Sequence, residues 1–232
     1  MTVQACVANI GSSRRATDLQ YNGVVVRTVE HVMAAILWQG VDNVIVRLEG
    51  EELPLGDGSA LTYVNLLEEA GLTELPILRN EIRVMRPRWI LRDGSCLITL
   101  PHDKTRVTFS FLRKGSSVEA EHLDVEVTSE RFVEEIAPAR TVGFQWELET
   151  IQEQGLALGA TLEQAVIVSE TGYVGDTRFP NEACRHKALD LLGDMAILGR
   201  IRGHFIGIGS GHSMNHELAR LIARDWYVRR GV

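Results

Sequence analysis

What this chain of 232 residues lacks narrows its identity first. It has only three cysteines, Cys6, Cys96 and Cys184, scattered and odd in number, which argues against a disulfide framework and fits reduced thiols in a cytoplasmic protein. No apolar run reaches ~18 residues, so no segment reads as a membrane span, although peripheral membrane contact stays open. The start, MTVQACVANIGSSRR, lacks a basic stretch followed by an apolar one and does not read as a signal peptide. Positive charge is not in excess: 24 Lys and Arg against 31 Asp and Glu give a formal net charge of −7, and no electrostatic reason to expect nucleic acid. Low-complexity segments are absent. A chain of this length can bury a large core, in one domain or two small ones.

Among the patterns present, TVQACVANI (2–10) alternates and GVVVRTV (23–29) is β-branched, so both read as strands around a turn-rich stretch at 11–22. The helix TVEHVMAAILWQG follows, with Thr28 as N-cap and Gly40 as its stop. Next come a strand over 41–50, the turn-rich PLGDGSA (54–60) and an amphipathic helix over 60–72. Segment 73–83, with Pro76, reads as a linker and implies a division into residues 1–75 and 76–232. Beyond it lie three alternating strands, with RDGS (92–95) as a hairpin turn, and helices over 129–137 and 146–159. A buried strand over 164–174, a helix over roughly 181–199, a strand over 202–211 and a helix over 212–228 complete the chain. The runs 28–50 and 185–208 echo each other faintly, each a His-bearing apolar helix leading into a strand, which hints at two halves of similar design. Sheets covered by helices on one side place the chain in the α+β class.

RHKALDLLGD (185–194) carries the strongest chemical signal. On a helix, His186, Asp190 and Asp194 follow one another at i, i+4 spacing; each step turns about 400°, so the side chains share one face, ~6 Å apart. Their neighbours Ala188, Leu189, Leu191, Leu192 and Met195 are apolar, and two buried carboxylates so placed repel unless a cation lies between them. A His–Asp pair alone is more often an ion pair or a core hydrogen bond. Asp194, and a further histidine at His31, turn the reading toward a metal. Two histidines and one carboxylate leave a coordination position open for water, the catalytic zinc arrangement, which iron(II) also suits.

Glu30 and His31 open an otherwise apolar helix. They are either a solvated pair at a helix N-terminus, with Glu30 favoured by the dipole, or a functional pair. Adjacent residues point ~100° apart, so one ligand and one base acting on metal-bound water is the natural division. In GSGHSMNHE (209–217), His212 sits at a glycine-rich turn that a substrate can approach closely. As a general acid it needs a carboxylate to hold its tautomer and its proton, and Asp194 is the natural candidate. The rival is a second metal pair made by His212 and His216. No nearby carboxylate completes that set, and His216 is expected on a solvated helix face.

Taken in order, TVEH (28–31), GVDNVIV…PLGDGSA (40–60), ARTVGF (139–144), HKALDLLGD (186–194) and SGHSMN (210–215) resemble the UDP-3-O-acyl-N-acetylglucosamine deacetylase family, zinc enzymes of lipid A biosynthesis, over essentially the whole chain. The resemblance implies a two-domain α+β sandwich, each half a β-sheet layered against helices, with the active site between them. It also implies zinc on His31, His186 and Asp190, and Glu30 as the base acting on zinc-bound water. His212 would stabilise the oxyanion and protonate the leaving amine, oriented by Asp194. Thr141 would donate to the tetrahedral intermediate, and Lys187 would lie near the substrate carbonyl or diphosphate. The implied substrate is a UDP-linked acylated amino sugar, its acyl chain expected around residues 143–168.

The chain also departs from the family pattern. Members begin with additional residues, so the first domain is expected to be N-terminally truncated. Gly209 stands where a basic residue usually meets the diphosphate, the aromatic-His-Pro segment that grips the base is not visible in 110–127, and Val142 replaces a phenylalanine. Two alternatives follow: a paralogous deacetylase of another N-acetylated sugar, or a non-catalytic zinc-binding relative.

Overall fold

The computed structural model describes residues 1–11, 15–112, 120–147 and 163–230. The anticipated helix at 146–159 and the acyl-chain neighbourhood at 143–168 fall largely outside the described residues, as does the middle of segment 110–127.

A short antiparallel hairpin of β1 (Leu19–Tyr21) and β2 (Val24–Val26) precedes two helices, α1 (Glu30–Trp38) and α2 (Leu61–Ala70). The main sheet then begins with β3 (Ile82–Arg83), β4 (Arg88–Arg92), β5 (Ser95–Leu100), β6 (Thr105–Phe111) and β7 (Glu121–Glu126). A helical turn, α3 (Ser129–Arg131), widens into a π-type turn at Phe132–Ile136. A three-stranded sheet follows from β8 (Thr141–Phe144), β9 (Ala165–Ser169) and β10 (Gly172–Val174). Then come α4 (Glu182–Ala196), β11 (Ile201–Ile208) and α5 (His212–Arg230).

Period-two alternation explains the main sheet. β6 buries Thr105, Val107, Phe109 and Phe111, while Arg106, Thr108 and Ser110 on its other face are half-buried. β11 runs through the middle, antiparallel to β5 and parallel to β6, with its first two residues beside β3. α4 packs on β6 and β7, and α1 and α5 lie against it in turn. That double cover accounts for a helix buried nearly all round, including Leu189, Leu191 and Leu192, each worth ~1.5–3 kcal/mol on burial. Helices layered on sheets give the α+β sandwich that the sequence indicates. No helix among the described residues is long and apolar enough to cross a membrane.

Two contacts fix where α4 sits. At Gly193 a Cβ would lie 2.1 Å from the Glu30 carbonyl oxygen, so the absence of a side chain there lets the start of α1 rest directly on α4. At the other end, fully buried Glu182 accepts hydrogen bonds from Arg140 through Nε (2.9 Å), Nη2 (3.1 Å) and the backbone N–H (3.0 Å). Burial opposes the Glu182 charge, but Arg140 and the Arg178 N–H outweigh it and hold the carboxyl below its ordinary range.

Four local expectations are corrected. Residues 2–10 form no strand: a single 3-10 turn at Val7–Asn9 is followed by one isolated bridge, Ile10 to Leu19. Residues 41–50 contain no strand either, and Ile45 is 83% exposed, because a β-branched run needs a neighbouring ladder and none of the described residues supplies one. The second half of the internal echo therefore has a strand and the first half does not. The run 164–174 is two strands, reversed where Ser169 Oγ accepts the Thr171 N–H (3.2 Å). Thr28 does not cap α1; it has φ +60°, and its hydroxyl donates to Glu52 (2.9 Å) instead.

Gly193→Ala is expected to push α1 from α4 and to destabilise the protein by ~1–3 kcal/mol, measured by urea unfolding. Glu182 sets an acid limit. Its pKa in the fold lies below the unfolded value near 4.5, so its stabilisation is full above that pH and fades as pH falls through the lower folded value. Glu182→Gln is expected to be less stable at neutral pH and to show a shallower loss of stability between neutral and acidic pH than the parent chain.

Candidate active site

The crossing of α1 on α4 brings together residues far apart in sequence. His31, in the first turn of α1, faces His186 on α4 with ring centroids 5.1 Å apart at 89°. Asp190, one turn along α4, places Oδ1 3.3 Å from His186 Nε2 and 3.7 Å from His31 Nε2. All three side chains are buried. His186 Nδ1 lies 3.1 Å from the Ala139 carbonyl, which can only accept; Nδ1 therefore carries the proton and Nε2 keeps its lone pair facing Asp190. Burial holds the His186 pKa down at about 3, so the ring is neutral at physiological pH.

Asp190 is the informative member. Burial alone would raise its pKa, yet His186, Lys187 and His212 hold it well below the usual carboxylate range. Oδ2 accepts from Lys187 Nζ (2.7 Å), whereas buried Oδ1 has no hydrogen-bond partner among the described residues. An orphaned anionic oxygen facing the Nε2 atoms of two imidazoles, that of His186 a lone pair, is a costly arrangement that a divalent cation would relieve. The ligand atoms of His31, His186 and Asp190 lie within 4.8 Å of one another, so these residues fit a metal ion.

Two groups flank this set. Glu30 is buried, its Oε2 accepts the Thr17 N–H (2.9 Å), and burial raises its pKa against the opposing pull of His212 and His31. On the other side His212, at the start of α5, places Nε2 3.6 Å from Asp190 and donates from Nδ1 to Asp194 Oδ2 (2.9 Å). Burial opposes its charge, but Asp194 and Asp190 overcome that and lift the pKa to about 9, so His212 is a cation at neutral pH. Asp194 keeps a pKa of about 2 although buried, because His212 and His216 favour its charge.

Glu30, His31, His186, Asp190 and His212 line one cleft of about 440 Å³, together with Lys187 and Thr141. Thr141 is held at the start of β8 by a hydrogen bond from its N–H to the Gly58 carbonyl (2.7 Å), within the GDGS turn. Phe109, Phe111 and Phe144 supply an apolar wall, and the small residues Gly209, Ser210 and Gly211 border His212. Every candidate residue named from the sequence is thus in or directly behind this cleft.

One expectation is overturned. His216 is not on a solvated face: it is 4% exposed, with Nε2 2.7 Å from Thr17 Oγ1 and 3.7 Å from Asp194 Oδ1. A carboxylate does accompany His212 and His216, namely Asp194. The cause is the packing of α5 on α4, which turns inward both residues of an i, i+4 pair. Two contributors escaped the sequence reading. Asn215 Nδ2 donates to Asp194 Oδ2 (2.8 Å), and Thr17, fully buried, donates its hydroxyl to Asp194 Oδ1. Asn215 adjoins a recognisable motif, but Thr17, alone in a turn-rich stretch, offers no spacing or pattern to mark it.

Comparison with known proteins gives a consistent result. The sequence model of the family described as LpxC: UDP-3-O-acyl N-acetylglycosamine deacetylase matches residues 1–224. The UDP-3-O-acyl-N-acetylglucosamine deacetylase of Oleidesulfovibrio alaskensis is 39% identical over 220 residues, covering 93% of this chain and 72% of its own. The enzyme of that name from Nitratidesulfovibrio vulgaris is 40% identical over 213 residues, covering 90% and 69%. That of Chlamydia felis is 34% identical over 227 residues, covering 96% and 81%. With the match extending over both α1 and α4 and their facing side chains, the chain belongs to the UDP-3-O-acyl N-acetylglycosamine deacetylase family.

Proposed function

We propose that this protein hydrolyses the acetamide of a UDP-linked 3-O-acyl-N-acetylglucosamine, releasing acetate, with a zinc ion held by His31, His186 and Asp190. The observation that carries this reading is the unpartnered Asp190 Oδ1 facing two imidazole nitrogens, beside a buried carboxylate and a cationic histidine. Two nitrogens and one oxygen suit zinc, with iron(II) as the alternative. When bound, the ion would supply Lewis acidity, polarising a carbonyl and making water acidic enough to ionise near pH ~7.

The side chains divide the remaining chemistry. Glu30, whose raised pKa brings it toward the working range of a general base, takes a proton from the attacking water as its oxygen adds to the acetyl carbon. Thr141 donates a hydrogen bond to the developing oxyanion, and the positive charge of His212 stabilises it further. As the C–N bond breaks, His212 gives its proton to the departing amine, leaving acetate and the free amino sugar. Asp194 positions His212 throughout, because its carboxylate fixes the Nδ1 proton and leaves Nε2 directed at the cleft. Lys187 anchors Asp190 through Oδ2 and presents its ammonium at the edge of the cleft, where a substrate oxygen can also meet it.

The reading is tested with the purified full chain and UDP-3-O-acyl-N-acetylglucosamine, following acetate release. Turnover is expected, lost on chelation and restored by zinc; metal-loaded protein with no turnover overturns the proposal. Glu30→Ala is expected to retain metal and to lower kcat by ~10²–10⁴-fold. Asp190→Ala and His186→Ala are each expected to lower the zinc content measured by elemental analysis as well as activity, a split that separates ligand from base.

A further inference from the structure

Thr17 uses every polar group it has, and uses them on three helices. Its carbonyl accepts the Val29 N–H (2.9 Å) and its own N–H donates to Glu30 Oε2 (2.9 Å), so its backbone is fastened to the start of α1. Its hydroxyl meets Asp194 Oδ1 on α4 and His216 Nε2 on α5 (2.7 Å). The side chain is wholly buried. Hydrogen-bond accounting fixes the direction of each contact. Asp194 is a carboxylate and can only accept, so the single hydroxyl proton of Thr17 points to Asp194. The Thr17 oxygen can then only accept, and His216 must donate from Nε2. Together with His212 Nδ1 and Asn215 Nδ2 on Oδ2, the Thr17 hydroxyl completes the donors around Asp194. The same contacts place the Thr17 oxygen in the space between Asp194, His212 (3.3 Å) and His216, so a hydroxyl, rather than an ion, accounts for that cluster.

We propose that Thr17 is a positioning residue whose hydroxyl and backbone N–H tie the His212–Asp194 pair to Glu30, with His216 setting the direction of the hydroxyl. The role rests on the deacetylase reading above for its kinetic consequence. Glu30 and His212 handle protons at opposite ends of one reaction, and their separation has to be held within a fraction of an ångström for both transfers to occur on one bound substrate. Within Thr17, the N–H that Glu30 accepts and the hydroxyl that Asp194 accepts belong to one residue, so the spacing between the two contacts is fixed covalently.

Two substitutions separate positioning from packing. Thr17→Val keeps the shape and the backbone N–H but removes the hydroxyl; Thr17→Ser keeps the hydroxyl and removes a methyl group. Positioning requires Thr17→Val to lower kcat by ~10–100-fold with KM changed less than about 2-fold, and Thr17→Ser to stay within about 3-fold of the parent. His216→Leu, which removes the donor that orients the hydroxyl, is expected to lower kcat in the same direction and provides a second variant if Thr17→Val folds poorly. A parent-like kcat in Thr17→Val, or a loss in Thr17→Ser as deep as in Thr17→Val, overturns the assignment. Imidazole ¹⁵N spectra of the zinc-loaded chain supply a readout independent of turnover. The His212 and His216 signals should shift in Thr17→Val and return in Thr17→Ser, and an unmoved His212 signal contradicts the proposal. Should the parent chain show no deacetylation while those signals shift as described, the positioning contact stands and the deacetylase reading falls.

Discussion

The structure depends on the direct backbone contact between α1 and α4 at Gly193 and Glu30. A helix with side chains at its contact positions keeps its neighbour 8–10 Å away, axis to axis. Removing one Cβ where the Glu30 carbonyl rests lets the first turn of α1 reach α4 in its last turn. His31 then faces His186 and Asp190, and Glu30 enters the same cleft. The Arg140–Glu182 pair holds the N-terminal end of α4 against the strand that presents Thr141. The geometry of the cleft is therefore a packing result, set by which residues lack bulk and which buried charges are paired.

Charge burial explains why this core can be reactive without falling apart. Glu30, Asp190 and Asp194 are all buried within a few residues of one another in space, an arrangement costly without compensation. Each is compensated differently. Asp194 receives three neutral or cationic donors and is a finished hydrogen-bonding centre. Asp190 is anchored on one oxygen by Lys187 and left open on the other. Glu30 keeps a backbone donor and a raised pKa. Two aspartates of the same helix, one turn apart, are thereby distinguished by their partners alone, one left with an open oxygen and the other saturated with donors.

That difference marks how far the sequence could be read. The i, i+4 stripe His186, Asp190, Asp194 is a property of helical geometry and was legible at once, as were the alternating strands of the main sheet. Nothing local says which aspartate is saturated, because two of its three donors, Thr17 and Asn215, lie 177 and 21 residues away. His216 is a different kind of miss. Its i, i+4 relation to His212 implies a shared face, and the packing of α5 on α4 turns that face inward. The 41–50 segment failed for the opposite reason: β-branched composition describes a surface that fits a sheet and cannot supply the neighbouring strand.

Anomalous diffraction at the zinc edge, from crystals of the metal-loaded chain, tests the central claim most directly. The account requires one strong peak bounded by His31 Nε2, His186 Nε2 and Asp190 Oδ1. A peak seated on Asp194 and His216 instead, or one that His31 does not reach, would show that the meeting of α1 and α4 serves packing alone and that the proposed centre is misplaced.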